Sequence, residues 1–321
     1  MKQPQGREVA ERLVAHADVV VQNFAPGAFD RLGLGVTQLR ERYPSLIATS
    51  ITGYGEDGPY RDRRAYDLLL QAETGVVSVS GTPETAAKTG ISVADIAGGM
   101  YAFSSILAAL YRRQQTGEGA AIRVSLFDSV MEWMSPLSLM AAHGPHPQRA
   151  GARHASIVPY GPYAVAGGRE VVLAVQNERE WLRLCEQVIE RPDLAADPRF
   201  AGNENRLRNR SDLEPQIEAA LARYSVEEAE AKLEAASVPY ARMNDVAEVL
   251  RHPQVLERGR LLATALPGGA TIDLLRAPFN IEGVDETPGE VPAVGQHTEA
   301  VLGELGYDAA AIAALRASGA V

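Results

Sequence analysis

One cysteine, two tryptophans and a minority of positive charge leave this 321-residue chain without the means for several chemistries. Cys185 has no partner for an internal disulfide, which fits a reducing compartment, and a cytoplasmic location is expected. Residues 180–189 around it read as helix, so the thiol is expected in a packed core. Lys and Arg number 31 against 41 Asp and Glu, a formal charge of -10. Nucleic-acid binding needs clustered cations on phosphates, and no such partner is expected. No run of consecutive apolar residues reaches the roughly 18 of a membrane span, so no membrane partner is expected. Residues 1–14 are charged and lack the apolar stretch of a signal peptide.

Metal-ligand spacing is missing too. The six histidines include no H-E-x-x-H pair, and Gly144 and Pro145 between His143 and His146 break any helical register. No metal and no permanently bound cofactor is expected. Neither the G-x-S-x-G of serine hydrolases nor the G-x-x-x-x-G-K-[ST] of phosphate-binding loops occurs.

What is present is an alternation of strand and helix. Residues 6–16 are amphipathic, Val19, Val20 and Val21 form a short apolar run, 29–39 have a helical pattern, and 46–52 are again β-branched and apolar. This predicts an α/β fold with a parallel sheet. Residues 91–115 give the clearest helix: Met100, Phe103, Ile106, Leu107 and Leu110 recur at three and four, marking one apolar face. Gly117 and Gly119 end it. Residues 143–168 hold four prolines and form an irregular connection where a domain boundary is expected. The division read here is 1–145 as a Rossmann-like large domain incomplete at its N-terminal side, 146–280 as linker and smaller α+β domain, and 281–321 as a segment returning to the first.

With metals and hydrolase motifs set aside, a carboxylate remains. Asp95 stands where the strong helix begins, among apolar residues, and a helix N-terminus stabilises an anion by about 0.3–1 kcal/mol. An ordinary N-cap would look the same. Gly98 and Gly99 follow at a cost of about 1 kcal/mol each in helix propensity, which suits close approach of a ligand or another backbone. The 23–27 turn after the first strand, with Asp30 and Arg31 beyond, offers backbone N–H groups to an anion.

These segments together resemble the class III CoA-transferase family, which includes formyl-CoA and carnitine CoA-transferases. The matching pieces are Ala17-Asp18-Val19-Val20-Val21-Gln22-Asn23-Phe24-Ala25-Pro26-Gly27, Gly53-Tyr54-Gly55, Arg64-Ala65-Tyr66-Asp67, Ala94-Asp95-Ile96-Ala97-Gly98-Gly99, the 113–119 helix end, His252-Pro253-Gln254-Val255 and Val294-Gly295-Gln296-His297-Thr298. Their order and spacing carry the likeness, which runs nearly end to end. The resemblance implies that Asp95 is the nucleophile and forms an aspartyl-CoA thioester, in surroundings kept dry so that anhydride and thioester survive. It implies that Asn23, Phe24, Pro26, Gly27, Arg31, Arg64 and Tyr66 hold CoA. It also implies an interlocked homodimer, with acyl-CoA and a carboxylic acid as substrates.

α-Methylacyl-CoA racemases share the family fold but carry His-Asp where this chain has Tyr66-Asp67, so the second proton-transfer group is lacking here. The stretches 154–163 and 176–181 resemble the branch acting on mesaconyl, itaconyl and succinyl groups. Arg153, His154 and Arg179 are the residues that could hold a distal carboxylate. Family members begin earlier, with a first β-α-β unit and a basic loop for the adenine end of CoA. The chain is therefore expected to be a short form whose affinity for CoA is reduced, and an inactive relative is the alternative reading.

Overall fold

A computed structural model describes residues 3–284 and 289–321. Three strands form a parallel sheet in the order β1 (Val19–Gln22), β2 (Ile47–Thr52), β3 (Ala120–Ser125). The register pairs Val19 with Ile47 and Ile47 with Ala120. β2 lies in the centre and is the most buried strand, with Ile47, Ala48, Thr49 and Ser50 all covered, as an apolar β-branched run in a parallel sheet requires.

Two layers close on this sheet. Val14 of the helix Pro4–His16 and Leu39 of the helix Val36–Arg42 pack with Phe29, Leu34, Leu46 and Ala48. The single helix expected over 29–39 is split into Ala28–Arg31 and Val36–Arg42. Gly33 between them takes a left-handed conformation, φ 73°, which ends a helix rather than continuing it. The long helix Val93–Thr116 covers the other face, where Ile51 points, and stops at Gly117 with φ 73°.

That helix buries a different face from the expected one. Ala94, Ala97, Gly98, Ala102 and Ala109 are the buried residues. Met100, Phe103 and Leu107 are turned outward with Ile96 and Tyr111, and Phe103 is 50% exposed. Small side chains bring the helix axis close to the strands, and the bulky apolar stripe stands on the opposite side. By length and composition alone this helix could cross a membrane, but its small-residue face is packed on the sheet.

A second unit is built on an antiparallel sheet, β4 (Tyr160–Ala164), β5 (Glu170–Ala174) and β6 (Tyr240–Arg242). Tyr163, Leu173, Trp181, Leu184, Cys185, Phe200, Leu213 and Leu233 fill its core. The helix Glu178–Arg183 runs into one wider π turn, Leu184–Val188, that brings Cys185 and Val188 inward. A hairpin follows, β7 (Leu261–Ala265) with β8 (Thr271–Leu275). The last helices, Thr298–Glu304 and Ala309–Ala317, come back to the first: Leu302 and Leu315 pack on Val9, and the Arg12 guanidinium lies 4.5 Å above the Tyr307 ring.

Candidate active site

Strand ends place the site, as in other open α/β sheets, where ligands bind outside the carboxyl ends of the strands. A cavity of about 470 Å³ opens there, lined by Asn23, Phe24 and Pro26 beyond β1, Ile51, Thr52 and Gly53 at the end of β2, the loop residues Arg63, Arg64 and Tyr66, and Asp67, Asp95 and Leu126. Asp95 comes from the first turn of the helix Val93–Thr116. Desolvation by the cavity wall, and then the negative charge of Asp67, raise its carboxyl above the usual Asp value. A raised value makes the carboxylate a stronger base and nucleophile once ionised.

Each wall has a local cause. Asn23 is fixed by donating from Nδ2 to the Ile51 carbonyl at 2.8 Å, which ties the β1 turn to β2. Gln22 Nε2 donates to Ser50 Oγ at 2.6 Å, and its Oε1 accepts the Phe24 N–H at 2.7 Å. Phe24 stacks on Phe29 at 5.5 Å between centroids. Arg63 pairs with Glu73 at 3.1 Å and lies 3.9 Å over the Tyr60 ring. Gly27 has φ 69° and lines a smaller adjoining cavity of about 270 Å³, which shares Phe24, Pro26 and Thr52 with the first.

The residues singled out in the sequence fall into three groups. Asp95, Asn23, Phe24, Pro26, Arg64 and Tyr66 meet in one cavity, where Tyr66 is 71% exposed. Gly27 is next door, and Arg31 is exposed beside it. Gly98 and Gly99 line neither cavity. Gly98 is a close-approach glycine toward Leu126: a Cβ there would overlap the Leu126 side chain, so its partner is protein rather than ligand. Gly99 faces open space.

Arg153, His154 and Arg179 belong to the second unit and do not line the cavity. Arg153 already holds a carboxylate, Glu214, at 2.8 Å, and its guanidinium lies 5.3 Å over the Tyr163 ring. His154 stacks on Tyr160 at 5.1 Å. Arg179 is exposed.

The carboxylate expected to be dry is not. Asp95 is exposed in the single chain, and its helix neighbours Ile96 and Met100 are exposed as well. Two features escaped the sequence reading. Arg63 lies beside Arg64, and only the fold shows that both reach the cavity. Gly53-Tyr54-Gly55-Glu56-Asp57-Gly58 has the spacing G-x-G-x-x-G directly after β2. It leads into a loop, and the next helix starts only at Asp67, so no helix N-terminus faces a phosphate there.

An α/β fold with a carboxylate in a cavity beyond its strand ends has its candidate site where open α/β sheets bind ligands. The model of CoA-transferase family III matches residues 1–298, and the chain belongs to that family. It is an enzyme that transfers CoA. Its similarity to an acetyl-CoA:oxalate CoA-transferase of Acetobacter aceti is 34% identity over 298 residues, 91% of this chain and 74% of that one. To a succinate–glutarate CoA-transferase of Agrobacterium fabrum it is 33% over 310 residues, 95% of this chain and 76% of the other. The crystal structure of a CaiB/BaiF family protein from Brucella suis superposes with a TM-score of 0.83 at 33% identity, covering 95% of this chain and 79% of that one.

Proposed function

We propose that the protein moves CoA from an acyl-CoA to a free carboxylic acid through an aspartyl-CoA thioester on Asp95. The observation that carries this reading is the position of Asp95 in one cavity with the β1 turn and the Arg63–Tyr66 loop. An Asp95 oxygen attacks the thioester carbonyl and expels CoA thiolate, leaving a mixed anhydride. The thiolate attacks the aspartyl carbonyl, the donor acid departs, and the enzyme carries CoA as a thioester. The acceptor carboxylate attacks that carbonyl and releases the thiolate again. The thiolate then takes the acceptor's acyl carbon, and the Asp95 carboxylate is restored. Positioning supplies most of the gain, since well-oriented groups can be worth about 7–11 kcal/mol.

Phe24 and Pro26 give an apolar bed for pantetheine, with Asn23, Gly27 and Tyr66 around it, and Arg64 and Arg31 bring positive charge for the phosphates. Short dicarboxylic acids are the proposed acyl partners. The oxalate and glutarate named for the relatives support this class. No bound cofactor enters the cycle, and a cytoplasmic location is proposed. A homodimer is proposed as the working form: Ile96, Met100, Phe103, Leu107 and Tyr111 form an exposed apolar stripe on the outward side of the Asp95 helix, the kind of surface that marks an interaction site. A second chain on that stripe would also shield Asp95 from water. Racemisation is disfavoured, because Tyr66 rather than an imidazole stands in the cavity.

The test is incubation with succinyl-CoA and glutarate. Glutaryl-CoA should appear, the enzyme should gain the mass of CoA less water, and borohydride should trap the thioester. Asp95→Ala should abolish both product and adduct. An adduct that survives in the variant would count against the reading, and complete inertness of the native protein toward CoA thioesters would favour the inactive-relative alternative.

A further inference from the structure

Asp95 shares its cavity with a second carboxyl, Asp67, and two neighbouring carboxyls divide protons unequally when their surroundings differ. The surroundings of Asp67 are built from main-chain and side-chain donors. Its Oδ1 accepts the N–H of Ala94, the residue before Asp95, at 2.8 Å. Its Oδ2 accepts from Gln71 Nε2 at 2.7 Å.

The orientation of Gln71 is not arbitrary. The side chain is fully buried, 0% exposed, one turn along the helix Asp67–Glu73. Gln71 Oε1 accepts the backbone N–H of Thr89 at 2.9 Å. A backbone N–H can only donate, so the oxygen of the amide must face it and the NH₂ must face Asp67. The Ile91 carbonyl, 3.5 Å from Nε2, lies on the same side as that NH₂. Both oxygens of Asp67 are thus committed to donors, the arrangement that suits a carboxylate.

We propose that Gln71 is a positioning residue: with its oxygen held by the Thr89 N–H and its NH₂ turned to Asp67, it keeps both Asp67 oxygens as acceptors, one of them tied to the Ala94 N–H, so that Asp67 stands as a fixed neighbour of Asp95 and the nucleophilic role falls to Asp95. The inference rests on Asp95 being the nucleophile. Other charged or titratable groups facing Asp95 come only from the preceding loop among the cavity's lining residues: Arg63, Arg64 and Tyr66. The β1 turn, the end of β2 and Leu126 contribute none. The direction of the Asp95 shift, with Asp67 among its causes, agrees with this arrangement.

A charge-relocation experiment tests it. Asp67→Asn places an NH₂ against the NH₂ of Gln71. The amide of Gln71 must turn away, and Thr89 loses its acceptor. The double variant Asp67→Asn/Gln71→Glu restores the pairings of Ala94 N–H with residue 67, of residue 67 with residue 71 and of residue 71 with Thr89 N–H, giving up only the long 3.5 Å contact to the Ile91 carbonyl, but moves the negative charge one helical turn away. Two readouts are taken on the intact protein without turnover: amide hydrogen exchange at Thr89, and the carboxyl-carbon NMR titration of Asp95, assigned by its loss in Asp95→Asn. In Asp67→Asn, Thr89 exchange should accelerate about tenfold, and the Asp95 midpoint should move to lower pH. In the double variant the exchange should slow again while the midpoint stays below that of the native protein. Unaltered Thr89 exchange in the single variant, or failure of the second change to restore it, overturns the assigned polarity of Gln71. An Asp95 midpoint that stays put in both overturns the electrostatic role. Because neither readout needs CoA transfer, a protein that passes both and transfers nothing would sink the proposed function alone.

Discussion

Gly53, at the end of β2, and Ala65, in the loop that brings Arg64 and Tyr66 to the cavity, are in such close approach that a Cβ on Gly53 would overlap the Ala65 methyl. Ala65 cannot swing aside, since it has no rotamers, so Gly53→Ala must displace the loop. Overpacking of this kind costs about 1–3 kcal/mol. The loop supplies two arginines to the cavity wall. Steady-state kinetics should therefore show a higher KM for acyl-CoA, with kcat less affected. An unchanged KM would mean that the loop does not engage CoA.

Asp95→Asn should separate function from stability. Transfer should fall by at least about 10⁴-fold, as for other lost nucleophiles. The Asp95 carboxyl is raised in the folded protein, first by desolvation and then by Asp67. Between its unfolded and folded values the native state therefore binds more protons than the unfolded one. Stability falls as pH rises through that window, and at neutral pH the charged group is a net burden on the fold. Thermal melts should show the Asp95→Asn variant at least as stable as native at pH 7, with the advantage vanishing below about pH 4, where both states are protonated. Loss of stability at pH 7 would contradict the partly desolvated, like-charged setting of Asp95.

Strands were legible because β-branched runs have few alternatives. The apolar run Val19–Val21 and the 46–52 run became β1 and β2, while their register with each other and with β3 is seen only in the structure. The start of the Asp95 helix was legible, with Asp95 in its first turn, but its position alone did not distinguish it from an ordinary cap. The buried face of that helix was not legible. Alanine and glycine on one side and Met100, Phe103 and Leu107 on the other both satisfy a helical period, and hydrophobicity favours the larger residues. Only close packing on the sheet selects the small ones. Contacts between distant segments were equally hidden. Glu214 claims Arg153 from 61 residues away, and Gln71 joins Asp67 to the 89–91 segment. Such partners carry no local spacing signal.

Arg206 is only 1% exposed, and its guanidinium is spent on structure. It donates to the Val158 and Phe200 carbonyls at 2.8 and 3.1 Å, clasps Glu178 with two nitrogens at 3.0 and 2.7 Å, and lies 5.0 Å over the Trp181 ring. Arg206→Met would strand two carbonyls in the core and should cost about 2–4 kcal/mol in urea unfolding. Glu178→Gln should cost about 1–3 kcal/mol: Glu178 itself faces water, but the change leaves the buried Arg206 guanidinium without its counter-charge. The hydrogen bonds from Arg206 hold the Glu178 carboxyl below its usual value. Its stabilisation is present above the ordinary Glu range and is lost as pH falls through the depressed value. Arg206→Met should therefore flatten the acid side of the stability profile, and an unchanged slope there would show that this pair contributes nothing to it.

Cys185 offers a probe of the second unit that is independent of catalysis. The π turn Leu184–Val188 directs it into the core with Trp181, Leu184 and Phe200, where no part of it reaches solvent. Burial pushes its thiol up to about 12, so almost no thiolate forms near neutral pH, and thiolate is the reactive species. Native protein at pH 8 should resist iodoacetamide and aromatic disulfide reagents, while one equivalent should react promptly in concentrated urea. Modification should track opening of the unit, because reagent gains access only when the core around Trp181 parts. Graded urea should then give a labelling rate that rises along the same free-energy slope as unfolding of the β4–β6 sheet. Prompt reaction of one equivalent in native buffer would mean that the turn does not hold Cys185 inward, and the packing of Trp181 and Phe200 around it would have to be redrawn.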